Sequence, residues 1–379
     1  MPSVTVAGTL KDDPLGAIRY THNFAHNLIQ EAAVTFNDLV AARFDNYYLD
    51  FWAAFTVPAS KQVGYNNMIG NTDVLTSAVS AGGMAVRTLP AFTFNLPLPF
   101  FFTRDSGVAL PTAALPYNEM RIQLQFRDWN QLLVAYTAGA TKGRVPQVGE
   151  IVLSNSTSSQ PIINACNVWA EYAIVSNDER KRMGCAPRDI LIEQVQTAPR
   201  GQFEVKNGSA NTGFLDIRFS HAVKALLFAV RNTTVASDWS NYTVGNLGTD
   251  GLVGQTVNID PLTNASLLYE NTQRLAGLPV DYFSLVEPWY KAPTVPEQVG
   301  LHMYSYSLNM YDINPMGSTN YGKLTNVSVD WNAVDAALIP GITSQEKAIV
   351  AANTFEFIVC AVNHNVIRIS GGALGFPVL

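Results

Sequence analysis

His22 and His26 stand four residues apart, the spacing that sets two imidazoles on one helix face where they could share a metal ion. A zinc hydrolase of the His-Glu-x-x-His kind also needs a glutamate between them, and Asn23 and Phe24 stand there instead. The pair therefore reads as structural. Asp312-Ile313-Asn314-Pro315-Met316-Gly317 opens like a calcium loop, but Met316 replaces an oxygen ligand and Lys323 stands where the bidentate glutamate belongs. That match fails. No glycine-rich phosphate loop ending in Lys-Ser or Lys-Thr occurs. Gly371-Gly372-Ala373-Leu374-Gly375 is followed by no helix whose N-terminus could hold an anion, so it reads as a turn. His221, read as a strand residue beside Ala222 and Lys224, and His302, His364 and Cys360 have no sequence neighbour that suggests a nucleophile and base relay. No catalytic, cofactor-binding or metal-binding residue is assigned, and no cofactor is expected.

Cys166, Cys185 and Cys360 form no CxxC pair and are odd in number, so they read as buried thiols in a reducing compartment. Asn-x-Ser/Thr occurs at Asn155, Asn207, Asn232, Asn241, Asn264 and Asn326. The N-terminus lacks a basic region followed by an apolar core, so no secretory signal is expected and the sequons read as chance.

The elements behind these residues have mostly period two. Arg121 to Arg127 places Ile122, Leu124 and Phe126 on one face and Arg and Gln on the other. Leu215, Ile217 and Phe219 alternate likewise, as do Val327, Val329 and Trp331, and Val34 and Phe36. Phe355 to Val362 is apolar on both faces except at Glu356, and Asn363-His364-Asn365 reads as a turn leading into a second strand, Val366 to Ile369, in a terminal hairpin. With turn formers recurring between them, these strands predict an all-β sandwich fold with few helices. One helix is predicted from Phe44, Tyr47, Tyr48, Phe51, Trp52 and Phe55, six aromatics on one stripe ended by Pro58 and read as core packing. Capping boxes at Ser176-Asn177-Asp178-Glu179 and Thr343-Ser344-Gln345-Glu346 start two short helices, the first ended by Gly184, its charge run Asp178 to Arg182 being a solvated face.

The first capped helix precedes Ala186-Pro187-Arg188-Asp189, and a new strand pattern begins at Ile190. The expected division is residues 1–186 and 187–379. Thr137 to Ser159 and Asn232 to Asn258, rich in Gly, Ser, Thr and Asn, are expected to be one long exposed loop in each half.

Composition sharpens the class. Of 379 residues, 47% are hydrophobic and only 14% charged, with a net charge of −6. Disorder is excluded by the apolar fraction. Scattered rather than striped Lys and Arg argue against nucleic-acid binding. No run approaches the roughly 18 consecutive apolar residues that span a bilayer. A surface this poor in charge suggests a chain that is covered by copies of itself or by partners.

Several strings are specific. Tyr65-Asn66-Asn67-Met68-Ile69-Gly70-Asn71, Leu96 to Asp105 (LPLPFFFTRD), Leu115-Pro116-Tyr117-Asn118-Glu119, Ile192-Glu193-Gln194-Val195-Gln196, Arg218 to Leu226 (RFSHAVKAL), Ser284 to Tyr290 (SLVEPWY), Gly317 to Asn326 (GSTNYGKLTN) and Ala361 to Leu379 (AVNHNVIRISGGALGFPVL) resemble the iridovirus major capsid protein, in uninterrupted order from about Ile18 to Leu379. The resemblance implies an all-β tandem double jelly-roll of two antiparallel sandwiches, an N-terminal one over 1–186 and a C-terminal one over 187–379. It also implies a homotrimer with pseudo-sixfold outline that tiles an icosahedral shell in trimer–trimer contact. Minor capsid proteins would cement the trimers, an inner viral membrane would lie nearby without being spanned, and assembly would take place in the host cytoplasm. Met1-Pro2-Ser3-Val4-Thr5-Val6 falls close to the loop after the family's opening strands, so the expected first jelly-roll is shortened at its N-terminus. Two other classes compete: a jelly-roll carbohydrate-binding protein or glycosidase, which needs exposed aromatics and paired carboxylates, and a minor capsid homologue.

Overall fold

Alternating segments become strands where a second apolar face is available to cover them. In the computed structural model, which describes residues 4–6, 16–78, 85–137, 143–147, 150–153, 163, 165–208, 211–245, 258–340 and 344–377, the strand Met120–Phe126 turns Ile122 and Leu124 inward and leaves Arg121, Gln123 and Gln125 in solvent. Phe126, expected on the inner face, is exposed at the strand's end.

The first half contains β1 (Val4–Val6), β2 (Ala17–Tyr20), β3 (Ile29–Phe36), β4 (Leu39–Asp45), β5 (Thr88–Leu89), β6 (Met120–Phe126), β7 (Leu133–Tyr136) and β8 (Ile151–Leu153). Its helices are α1 (Phe24–Leu28), α2 (Asn46–Thr56), α3 (Ala59–Ile69), α4 (Asp73–Thr76) and α5 (Asn177–Cys185). The second half contains β9 (Arg188–Thr197), β10 (Gly201–Phe203), β11 (Asn211–Asp216), β12 (Ala222–Asn232), β13 (Leu262–Tyr269), β14 (Thr272–Pro279), β15 (Leu301–Ser305), β16 (Thr319–Asn320), β17 (Val327–Ala333), β18 (Phe355–Ser370) and β19 (Ala373–Gly375), with α6 (Glu287–Lys291) and α7 (Ser344–Ala351).

In the second half two four-stranded layers face each other, β9-β18-β12-β15 and β11-β17-β13-β14, the strand order of a jelly-roll. Between them Trp331 stacks on Phe357 at 4.4 Å and on Phe203 at 5.8 Å. Gly213 on β11 makes room for that indole, since a Cβ there would lie 2.7 Å from it. The first half repeats part of this plan. The hairpin β3–β4 turns through Asn37 at positive φ and β6 returns to pair with β3; the hairpin β13–β14 turns through Glu270 and Asn271 at positive φ and β17 returns to pair with β13. In both halves a helix follows the hairpin, α2 in the first and α6 in the second.

One apolar core joins the halves. The outer face of β9-β18-β12-β15 turns Ile192, Leu227, Ile358 and Val362 toward Val34 and Phe44 of the first half and toward α2. All six aromatics expected on one helical stripe are buried in this core, so their role is packing; at about 1.5–3 kcal/mol for each large side chain buried, they are a major source of its stability. Phe44, however, belongs to β4 rather than to the helix, which starts at Asn46 with the Asp45 carboxylate accepting from the Tyr48 N–H at 3.0 Å. A residue just before a helix N-terminus can match its spacing by chance.

Other expectations also shift. The terminal hairpin is instead one 16-residue strand, β18, and Asn363, His364 and Asn365 are buried in its middle. The two asparagines stay extended because β9 satisfies them: Gln196 donates to Asn363 Oδ1 at 2.9 Å and Asn365 donates to Gln194 Oε1 at 2.9 Å. The stretch Thr137 to Ser159 is not purely loop, since β8 pairs with β1 inside it. Of Asn232 to Asn258, residues 232–245 are largely buried rather than exposed, and Asn258, the other described residue, is exposed. The helix α5 starts at Ser176 as expected, buries no residue, and runs one residue past Gly184. Thr343, in the second capping box, lies outside the described residues, while β9 begins at Arg188, ahead of Ile190. His221 is a left-handed turn residue immediately before β12, not part of the strand.

Candidate functional site: buried polar clusters and assembly surfaces

Most of the residues able to do chemistry sit in closed, hydrogen-bonded clusters, although His22 Nε2, His302 Nδ1, Asp238 Oδ1 and both His364 ring nitrogens are buried without a partner. His26 is buried on α1, with Nδ1 2.7 Å from Asp50 Oδ1 and Nε2 2.7 Å from the Tyr65 hydroxyl. Asp50, on α2, also accepts from Asn23, from the Ser240 hydroxyl at 2.6 Å and from the Tyr242 hydroxyl at 2.7 Å. A carboxylate with that many donors has no lone pair left for a metal. His22 lies before α1 and does not share its face; burial, with Arg19 nearby, pushes its pKa down to about 4.

A second cluster joins both halves. Glu193 on β9 lies 2.5 Å from Arg104 Nη1 and 2.6 Å from Lys224 Nζ, and Lys224 also donates to the Asp312 carbonyl. The Arg104 guanidinium stacks over Trp52 at 4.4 Å. Burial holds the Lys224 ammonium below the usual amine range while Glu193 opposes that shift. Beside Arg104 and Glu193 the open volume is about 10 Å³, barely room for one water and none for a substrate. Asp312, from the failed calcium loop, uses its carboxylate to accept from Asn314.

A third cluster ties Arg19 to Asp238 at 2.8 Å and to the Tyr136 hydroxyl at 3.0 Å. Burial opposes the Arg19 charge, but Asp238 and Tyr136 outweigh it and hold the guanidinium protonated. Trp239 is sandwiched between Arg127 at 3.5 Å and Arg231 at 4.0 Å. His302 meets Asp260 at 2.8 Å, and Cys360 has Thr197 as its hydrogen-bond partner. Burial pushes the Cys360 thiol up, the opposite of what a nucleophile needs. His364 faces Glu193 across the β9–β18 pairing rather than a nucleophile.

Among the described residues no group of three or more His, Cys, Asp and Glu could hold a metal ion. Cys166 and Cys185 are exposed, contrary to the expectation of buried thiols, and all three cysteines are free. Asn232 and Asn241 are buried with their amides donated to backbone carbonyls, so neither sequon can accept a glycan in the folded chain; Asn155 lies outside the described residues.

The surface carries two features that the sequence pattern did not single out. A shallow groove of about 910 Å³ runs over the outer face of β11-β17-β13-β14, with Asp216, Asp330, Asn264, Asn332 and the exposed Phe214 in its lining. Burial and the neighbouring Asp216 raise the pKa of Asp330. The two carboxylates meet only through strand register, which places Asp216 opposite Ser328 and Phe214 opposite Asp330. The second feature is apolar: Leu285, Val286, Trp289 and Tyr290 around α6, and Val168, Trp169, Tyr172 and Ile174 in an extended stretch before α5, all face solvent. Trp289 and Tyr290 lie within one of the strings that carried the family resemblance.

Comparison with known proteins identifies the family. The family model for the large eukaryotic DNA virus major capsid protein matches residues 179–375, and that for the major capsid protein N-terminus matches residues 1–175. The major capsid protein of Invertebrate iridescent virus 6 is 55% identical over 389 aligned positions, covering 100% of this chain and 82% of that protein. That of Lymphocystis disease virus 1 is 45% identical, covering 100% and 82%. Among solved structures, VP54 of PBCV-1, fitted into a reconstruction of the virophage Sputnik, superposes with a TM-score of 0.70 at 19% identity, covering 100% of this chain and 88% of that one. The Faustovirus major capsid protein gives 0.61 at 13% identity, covering 94% and 74%. The shared fold is the double jelly-roll.

Proposed function

Because the chain belongs to the family of large eukaryotic DNA virus major capsid proteins, we propose that it is a shell brick that closes into homotrimers of pseudo-hexagonal outline, which tile an icosahedral capsid. It is a structural protein of the virion capsid and not an enzyme. The observation that carries the trimeric reading is the repetition of one plan, hairpin, helix and returning strand, in both halves. Two similar wedges per chain give six around a threefold axis. Heterologous contacts of this kind close into rings when the rotation between wedges divides the circle.

The division into two jelly-rolls, 1–186 and 187–379, belongs to the same proposal, as do cementing by minor capsid proteins, assembly in the host cytoplasm and a position outside an inner membrane that the chain does not cross. No helix among the described residues is long and apolar enough to span one. Sequence-specific nucleic-acid binding is not part of the role, since the basic side chains detailed above are used in internal ion pairs. Sedimentation velocity and negative-stain microscopy of the purified chain test the proposal: threefold particles with a six-lobed outline are expected, and a monomer or twofold dimer at all concentrations overturns it. The groove containing Asp216, Asp330 and Phe214 favours saccharide contact as a second reading, which binding to a glycan array would support.

A further inference from the structure

We infer that His364 is an acid-sensitive release at the joint between the two halves: a proton taken up by its ring loosens residues 96–104 of the first half from strands β9 and β18 of the second. The device lies inside one chain and does not depend on how copies of the chain associate.

His364 sits in the middle of β18, where β9 pairs on one side and β12 on the other; its register partners are Glu193 and Ala222. The residue is 8% exposed, and neither ring nitrogen has a hydrogen-bond partner. A neutral imidazole carries one N–H and one lone pair, and burying both unmet costs free energy that an apolar side chain of the same size would not. The neutral ring is therefore a poor occupant of this position. What distinguishes the position is what the ring meets once it is charged.

Three charged groups act on it, each from a different element. Glu193 comes from β9, Lys224 from β12 and Arg104 from the first half, just after the turn Phe101–Thr103. Glu193 is the one anion of the three, and both of its oxygens are engaged, Oε2 by Arg104 at 2.5 Å and Oε1 by Lys224 at 2.6 Å. Asp312 adds little, since it offers Lys224 its carbonyl and turns its carboxylate to Asn314. With His364 neutral, two cations face one carboxylate. A proton on the ring makes three cations, and the imidazolium competes with Arg104 and Lys224 for Glu193 while repelling both at a buried site that water screens poorly.

Of the two, Arg104 is the one that can leave. Lys224 is fully buried on a strand paired on both sides. Residues 96–104 form no strand, and their backbone bonds run within the segment, from the Phe100 N–H to the Leu98 carbonyl and from the Thr103 N–H to the Phe100 carbonyl. Side chains fasten the segment to the second half: Arg104 to Glu193 and to the Tyr311 carbonyl, with Phe100 and Phe101 in the shared core. Weakening the Arg104–Glu193 tie therefore acts on the contact between halves.

The direction of the pH effect follows. Burial holds the His364 pKa below its ordinary 6.5; Glu193 opposes that shift, while Lys224 and Arg104 reinforce it. The closed joint thus refuses a proton that an opened joint accepts at about 6.5. Stability contributed by the neutral ring is complete above pH 6.5 and is lost as pH falls below it. A brick whose halves are fixed at one angle near neutral pH loses that fixity in an acidic compartment.

Amide hydrogen exchange of the full chain, read by mass spectrometry at pH 7.5 and 5.0 and corrected for the intrinsic pH dependence of exchange, tests the device. Peptides covering 96–104 and 190–197 should lose protection severalfold on acidification, with a ceiling of about thirtyfold for one proton bound only by the open form. Peptides from β13 and β17 should hold theirs. His364→Gln takes up no proton and should keep both segments protected at pH 5.0; the other four of the chain's five histidines remain in both proteins, so the difference belongs to this ring. Lys224→Met removes one repelling cation, brings the folded pKa of His364 closer to its ordinary value and should shrink the acid-induced loss. Should His364→Gln lack the near-UV circular dichroism of the parent at pH 7.5, the Lys224→Met comparison decides. Protection in the parent that acid leaves unchanged, or a loss of equal size in a folded His364→Gln or in Lys224→Met, overturns the inference.

Discussion

Glutamine in place of Glu193 keeps the side chain's volume and removes the one negative charge that faces two buried cations. Lys224 is fully buried, and its other partner is the neutral Asp312 carbonyl; Arg104 keeps the Tyr311 carbonyl at 2.7 Å and its stacking on Trp52. Removing one member of a buried ion cluster costs about 3–5 kcal/mol, because the remaining charges stay desolvated without compensation. Lys224 can escape part of that cost by shedding its proton, since burial already holds its pKa low, which places Glu193→Gln at about 3 kcal/mol. Lys224→Met should cost less, about 1–2 kcal/mol: the Arg104–Glu193 pair survives, and the loss is one donor each for Glu193 Oε1 and the Asp312 carbonyl. Urea unfolding followed by tryptophan fluorescence reads both variants as shifts of midpoint at constant slope. Glu193→Gln within about 1 kcal/mol of the parent, or Lys224→Met more damaging than Glu193→Gln, would refute the ion-cluster reasoning.

Two further outcomes follow from particular contacts. The His22 ring, facing Arg19, Asp238, Asp73 and Asn71, has its folded pKa pushed down to about 4, so between pH 6.5 and about 4 the unfolded chain binds a proton that the folded chain refuses. Stability contributed by the neutral ring is thus complete above pH 6.5 and lost as pH falls through that window, by about 2 kcal/mol after allowing for partial solvent contact; His22→Asn should flatten urea midpoints measured from pH 7.5 to 4.5, and an unchanged slope counts against the assignment. Gly300 sits at φ +90° with the Tyr242 carbonyl oxygen 2.1 Å from where a Cβ would stand, so Gly300→Ala should cost at least about 2 kcal/mol in the same assay, whereas Gly184→Ala on the solvent face of α5 should not destabilise.

Much of this fold is written in local pattern. Strands such as β6 and β17 announce themselves because one face is covered and the other is wetter, and α2 and α5 follow from an aromatic stripe and a serine cap. Pattern fails where a polar residue is buried and satisfied from far away. Asn363, His364 and Asn365 resemble a turn until Gln194 and Gln196, more than 160 positions earlier, are seen to hold the two asparagines extended. Asn232 to Gly245 resembles an exposed loop until Asp238 and Ser240 find Arg19 and Asp50 in the other half. The surfaces were less legible still. Asp216 and Asp330 meet through register alone, and the exposure of Trp169 and Trp289 is a property of what the fold leaves uncovered, which composition hints at only through the chain's scarcity of charge.

That scarcity and the buried ion clusters have one explanation in common. Interfaces between domains of a single chain are usually polar enough to permit relative motion. Here the joint between halves is apolar and is also cross-tied by charge: Arg19 reaches Asp238, Arg104 reaches Glu193, which also holds Lys224, and Arg127 and Arg231 close on Trp239 from opposite halves. Each tie forms at one relative placement only, because a displacement strands a desolvated charge. A wedge that must close a ring needs that fixity, since an angular error within each chain recurs at every joint and leaves the last contact open. The few charged side chains that the fold buries therefore hold the two halves at one angle.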